Sequence, residues 1–180
     1  MTIADPIALR RPAHRSRSLS LPDLLKTTDL AAEAVLDGRY DRLLPASGLP
    51  ADGRWFTRLH GDARLDVWLI SWVPGHATEL HDHGDSRGAL TVLSGSLGEF
   101  HWDGRQLNQR RLEEGDQAAF SRGWVHDVVW APTSSSGVAA PTLSVHAYSP
   151  PLVEMSYYDV TSQNTLRRNR TELTEHPEAS

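Results

Sequence analysis

Gly75-His76-Ala77-Thr78-Glu79-Leu80-His81-Asp82-His83-Gly84-Asp85-Ser86-Arg87-Gly88-Ala89-Leu90-Thr91-Val92-Leu93-Ser94-Gly95 is the stretch on which the fold turns. Its apolar run Ala89–Leu93 ends at Gly95, and Ser96–His101 resumes beyond it, as a strand pair with a glycine turn would. Residues two apart on a strand project to one face, so His81 and His83 offer two imidazoles to a single cation. A second glycine-bounded stretch follows: Gly115, seven residues, Gly123, two residues, then His126.

Outward from this stretch the texture stays β-like. Trp68, Ile70 and Trp72 alternate with Leu69, Ser71 and Val73, so both faces of that strand are expected to be covered. Gln117–Phe120, Val125–Trp130 and Thr142–Tyr148 read as further strands, separated by Gly, Pro and Asp turns. Short strands so punctuated predict a mainly β fold, a small barrel or jelly roll. Ahead of it, residues 20–44 carry a helical pattern. Ser20 is the expected N-cap, Pro22 lies in the first turn, and Leu30, Ala34 and Val35 recur at helical spacing before Gly38.

Spacing and order together resemble the two motifs of the cupins, which implies a double-stranded β-helix with metal inside the barrel, preceded here by N-terminal helices. The match departs where proline normally precedes the second motif's glycine, since Ser121 stands there, and where asparagine follows its histidine, since Trp130 stands there. The departure that matters is Gly88, which occupies the place of the usual glutamate ligand. The resemblance therefore leaves His81, His83 and His126 as three neutral ligands. Imidazole softness alone admits Fe(II), Zn(II) or Cu(II). Three facial histidines leave three of six positions on iron open, room for a bidentate aminothiol and dioxygen.

Ser144-Val145-His146-Ala147-Tyr148 adds a second constellation, because its three polar residues alternate onto one strand face. If that face is interior, serine fixes the imidazole and the imidazole holds the tyrosine hydroxyl. With Ser149-Pro150-Pro151, the HisAspHis segment, the His126 segment and Phe56-Thr57-Arg58, this string closely resembles the cysteine dioxygenases over roughly residues 54–159. The resemblance implies one mononuclear non-haem Fe(II) per chain and addition of both atoms of O2 to a thiol sulfur. It gives Ser144, His146 and Tyr148 the catalytic positions, and Arg58, Tyr148 and Phe56 the substrate-binding ones.

Arg58, the arginine of the bacterial arginine type, is expected to be buried and to pair with a substrate carboxylate, which favours L-cysteine and its sulfinate. Relatives acting on 3-mercaptopropionate typically have glutamine there. That thiol carboxylate is the alternative substrate, and a non-catalytic, ligand-sensing cupin is the alternative class. Gly88 rules out the cysteine–tyrosine crosslink of animal members, and Phe56 replaces their tyrosine. Relatives with the arginine also suggest a cis Ser149–Pro150 bond.

Composition bounds the rest. With 39% hydrophobic and 23% charged residues, the 180-residue chain reads as one soluble globular domain over residues 20–160. Residues 1–19 are expected to be a flexible basic tail, with Arg10, Arg11, Arg15 and Arg17, and residues 161–180 a polar C-terminal tail that holds a short helix near Leu166 and frays. Cysteine is absent, which excludes disulfides, thiolate ligands and a cysteine nucleophile, and suits a reducing cytoplasm. No secretory leader or membrane span is expected, and a net charge of −5 argues against nucleic acid as a general partner. The expected partners are L-cysteine and O2, bound by a monomer. His14, His60, His101 and His176 read as surface residues in tails or near turns.

Overall fold

The computed structural model describes residues 18–133, 140–174 and 176–177. The basic stretch with Arg10, Arg11, Arg15, Arg17 and His14 lies outside the described residues. Helix α1 spans Leu21–Leu36 and a 3-10 turn spans Asp41–Leu43. The strands are β1 (Trp55–Gly61), β2 (Asp66–Trp72), β3 (His81–Asp82), β4 (Arg87–Ser94), β5 (Ser96–Trp102) and β6 (Leu107–Glu113). They continue with β7 (Gln117–Phe120), β8 (His126–Trp130), β9 (Thr142–Ser149), β10 (Glu154–Val160) and β11 (Leu166–Leu173).

One sheet runs β1-β2-β9-β4-β7 and the other β11-β10-β3-β8-β5-β6. From β2 onward the chain passes repeatedly from one sheet to the other. That winding is the cupin double-stranded β-helix. Closure leaves few open edges and puts two faces together around an interior. The turn at Gly95 needs a glycine twice over: its φ is +80°, and Thr142 leaves no room for a side chain.

Period-two alternation on β2 divides the apolar residues between two cores. Trp68, Ile70 and Trp72 join Leu90, Val92, Phe120, Val128, Tyr148 and Tyr157 inside the barrel. Val67 and Leu69 face outward, with Ala89, Leu93, Val145 and Ala147, onto Leu24 and Ala32 of α1. Ser20 caps that helix by accepting from the Asp23 N–H at 3.3 Å in a capping box, as the sequence suggests. Full burial of Leu24 alone is worth about 2 kcal/mol. No helix among the described residues is long and apolar enough to cross a membrane.

The C-terminal region departs from expectation. The short helix foreseen near Leu166 is strand β11, paired with β10 from Val160↔Leu166 to Glu154↔Leu173. Its sequence, Leu-Arg-Arg-Asn-Arg-Thr-Glu-Leu, hides the strand because an edge strand needs little apolar alternation. Arg170 instead forms a two-point pair with Glu79 at 2.9 and 2.7 Å and lies 3.8 Å over the Tyr157 ring. Ser156 and Thr171 hydroxyls bond across the ladder at 2.8 Å.

Candidate metal centre and substrate pocket

His81 lies on β3, His83 follows directly, and His126 opens β8 opposite His81 in the antiparallel register. One ring nitrogen from each lies within 4.8 Å of the others. All three rings are buried, and the Nε2 atoms of His81, His83 and His126 have no hydrogen-bond partner among the described residues. Three converging orphan nitrogens would each cost stability unless something binds them. The other side of two rings explains why Nε2 is the atom left free for a ligand role. His81 Nδ1 faces the Glu79 carbonyl oxygen at 2.6 Å, so it carries the proton and donates. His126 Nδ1 likewise faces Glu99 Oε1 at 2.9 Å, leaving the Nε2 lone pair inward.

Burial, reinforced by the neighbouring His126, brings the His81 imidazole down to about 3. His83 is pushed well below its ordinary value by burial and then by His81 and His126. Both rings are thus neutral near pH 7, as ligands must be. Three neutral nitrogens with no carboxylate among them fit one divalent transition metal.

Next to this cluster lies a hydrogen-bonded line on the inner face of β9. His146 Nε2 is 2.9 Å from Ser144 Oγ, and its Nδ1 is 3.2 Å from the Tyr148 hydroxyl. Trp72 Nε1 donates to Ser144 Oγ at 2.8 Å. An indole N–H can only donate, so Ser144 Oγ accepts from Trp72, and the direction of its bond with His146 Nε2 follows the tautomer of His146. Burial holds His146 well below its ordinary value, so the ring is neutral and carries a single proton. The Tyr148 ring lies 4.9 Å from His83, which puts the phenol beside the histidine cluster.

Gly88 stands opposite Tyr148 in the β4–β9 register. A Cβ there would lie 2.5 Å from Phe120 Cδ2 and 3.2 Å from Tyr148 Cδ1. Phe120 occupies the niche, stacks on His83 at 5.7 Å and packs 4.6 Å from His126.

The wall formed by β1 and β2 holds the residues foreseen for the substrate. Arg58 stands opposite Trp68, and Trp68 stands opposite His146, so all three share one row and one face of the sheet. The Arg58 guanidinium lies 4.7 Å over the Trp68 ring and 3.2 Å from Asp66. It is not buried as expected: its side chain is 45% exposed, whereas that of Asp66 is 3% exposed. Burial raises the Asp66 carboxyl and Arg58 opposes the rise, so a half-solvated arginine serves a buried acid. Phe56 is 37% exposed and meets Trp68 edge-on at 6.0 Å. His176, expected in a frayed tail, packs 5.4 Å from Phe56 and 6.1 Å from Trp68. Ser149–Pro150 is cis.

The sequence profile of the family described as Cysteine dioxygenase type I matches residues 49–161, well over half of the chain. The chain belongs to the cysteine dioxygenase type I family. It is similar to cysteine dioxygenase type 1 of Rattus norvegicus, 29% identical over 126 residues that cover 64% of this chain and 58% of that protein. The Homo sapiens protein of the same name is 27% identical over 125 residues, with the same shares. The chain thus spans less than two thirds of the length of these relatives. Among solved structures, it is similar to a sugar phosphate isomerase from a cupin superfamily from Silicibacter pomeroyi, at 21% identity and a TM-score of 0.49, covering 67% of this chain and 78% of that one.

Two residues of this cysteine dioxygenase family site escaped the sequence reading. Glu99, wholly buried on β5, accepts from His126 and from Trp124 Nε1 at 3.2 Å and pairs with Arg110. Burial alone would raise its carboxyl, but His126 and Arg110 prevail and bring it to about 2. Nothing local distinguishes Glu99 from an outward acid. Only the β5–β8 pairing, with His101 opposite His126, brings it to the centre. His101 lies near a turn as expected, one residue before the end of β5, but it is half-buried rather than a surface residue and stacks on Trp124 at 4.9 Å. Arg54 lies 4.3 Å over the Trp72 ring, and its charge contributes to the lowering of His81 and His146. Its two-residue step from Phe56 and Arg58 was the available signal.

Proposed function

We propose that this chain is a thiol dioxygenase that adds both atoms of O2 to the sulfur of L-cysteine at one Fe(II) per chain, held by His81, His83 and His126. The balance is one thiol plus one O2 giving one sulfinate and one proton. The carrying observation is the set of three orphaned Nε2 atoms, with no carboxylate among them, beside the oriented Tyr148 hydroxyl. Bound Fe(II) supplies the open coordination positions and the redox chemistry that joins thiolate and dioxygen.

The protein's own part is placement. Tyr148 presents a hydroxyl donor beside the reacting atoms, His146 holds that hydroxyl, and Ser144 fixes the His146 imidazole. Arg58 pairs with the substrate carboxylate, and Phe56 closes the pocket wall near it. Neutral ligands leave the metal its full double charge, which favours a thiolate over a thiol. A reducing cytoplasm that keeps cysteine as the free thiol is the matching setting, with the chain acting as a monomer on small molecules.

Oxygen uptake by iron-reconstituted protein with L-cysteine, 3-mercaptopropionate and cysteamine side by side tests this reading. L-Cysteine should be preferred, and both atoms of labelled O2 should appear in the sulfinate. Preference for 3-mercaptopropionate overturns the substrate. Cysteine binding without oxygen uptake overturns the enzyme in favour of a sensing cupin.

A further inference from the structure

We infer that the indole N–H of Trp68 is a substrate-anchoring donor, which together with Arg58 grips the carboxylate of the bound thiol. The inference rests on the thiol carboxylate reading above and adds a residue that the reading does not use. Trp68 is 5% exposed, and its Nε1 is buried with no hydrogen-bond partner among the described residues. Three other indoles show how the chain treats such donors. Trp72 Nε1 donates to Ser144 Oγ at 2.8 Å, Trp124 Nε1 to Glu99 at 3.2 Å, and Trp130 Nε1 to the Ala140 carbonyl at 3.0 Å.

An unmet buried N–H is costly, and an acceptor that arrives with a ligand resolves it. Position selects the acceptor. In the sheet register Trp68 lies between Arg58 on β1 and His146 on β9, all on one face. The Arg58 guanidinium already lies 4.7 Å over the indole ring. A cation and a neutral N–H side by side, on the row that leads to His146, suit a planar anion with two oxygens, and a carboxylate is such a group. Phe56 meets the indole edge-on and offers no polar atom of its own. Its ring and that of His176, 6.0 and 6.1 Å from Trp68, restrain the indole so that its N–H needs little further ordering when substrate binds.

The test uses the iron-loaded full chain. Trp68→Phe removes the N–H, and site-specific replacement of Trp68 by benzothienylalanine removes it while keeping the bicyclic shape. Anaerobic calorimetry should show L-cysteine binding about ten- to a hundredfold weaker in both, the loss expected for one hydrogen bond to a charged acceptor. KM for cysteine should rise far more than kcat falls, iron content should be unchanged, and cysteamine, which lacks the carboxylate, should bind as it does to the parent chain. Equal weakening of cysteine and cysteamine, or unchanged cysteine affinity in the benzothienylalanine protein, overturns the inference. Should Trp68→Phe fail to fold, the sulfur isostere carries the test alone. A parent chain that neither binds nor oxidises any thiol carboxylate defeats the functional reading first, and is distinguished by needing no variant.

Discussion

Replacing Arg58 with alanine asks how much the carboxylate anchor contributes, and the structure sets a lower figure than a buried arginine would. A charge pair sealed from water loses several kcal/mol when one partner goes. Arg58 is instead 45% exposed and already 3.2 Å from Asp66, so solvent and a competing acid both weaken its hold on a substrate. Hydrogen bonds to charged groups lie at about 1.5–3 kcal/mol, and the lower part of that range applies here. At 1.4 kcal/mol per factor of ten, Arg58→Ala should lower kcat/KM for L-cysteine by roughly ten- to thirtyfold. Cysteamine, without a carboxylate, should lose less than about threefold on the same scale. Arg58→Gln should shift the preference ratio toward 3-mercaptopropionate even as both rates fall. Oxygen-electrode kinetics on protein of verified iron content read all three. The reasoning is refuted if cysteine and cysteamine fall by one common factor, because Arg58 would then serve only Asp66 and the fold.

Other perturbations probe the surroundings. Glu99→Gln keeps the shape but removes the charge behind His126, and should weaken Fe(II) binding by about ten- to a hundredfold in chelator competition; unchanged affinity would make Glu99 purely structural. Gly88→Ala forces a methyl against Phe120 and should cost about 1–3 kcal/mol in urea unfolding, partly recovered by Phe120→Leu. Equal stability of the Gly88→Ala and parent proteins would mean that the ring yields freely. Asp66 has a folded pKa raised by burial, so its contribution to stability is fully present below its unfolded value near 3.8 and is lost as pH rises through the higher folded value. The stability difference between Asp66→Asn and the parent chain should therefore move in the variant's favour between pH 4 and pH 7, and a flat difference would contradict the raised value.

Much of the site was legible in the sequence because strand periodicity and glycine spacing are local. His81 and His83 sit two apart on an extended segment, and Ser144, His146 and Tyr148 repeat that step, so their shared faces needed no tertiary knowledge. The glycines that bound both motifs, Gly75, Gly95, Gly115 and Gly123, all adopt positive φ, so their spacing marks turns that other residues rarely make. The histidine cluster, the barrel class and the inward tyrosine followed.

What the sequence could not show depends on which strands become neighbours. Glu99 is an ordinary acid until β5 pairs with β8 and lays it against His126. Strand β11 has no apolar alternation, and it exists because β10 offers an edge and Glu79 and Tyr157 receive Arg170. Arg58 was assigned to the substrate by resemblance, but its exposure and its contact with Asp66 arise from the pairing of β1 with β2 and could not be read from either strand. A residue's face is decided by the dihedral repeat of its own strand, whereas its partners and its contact with water are decided by packing between segments far apart in the chain.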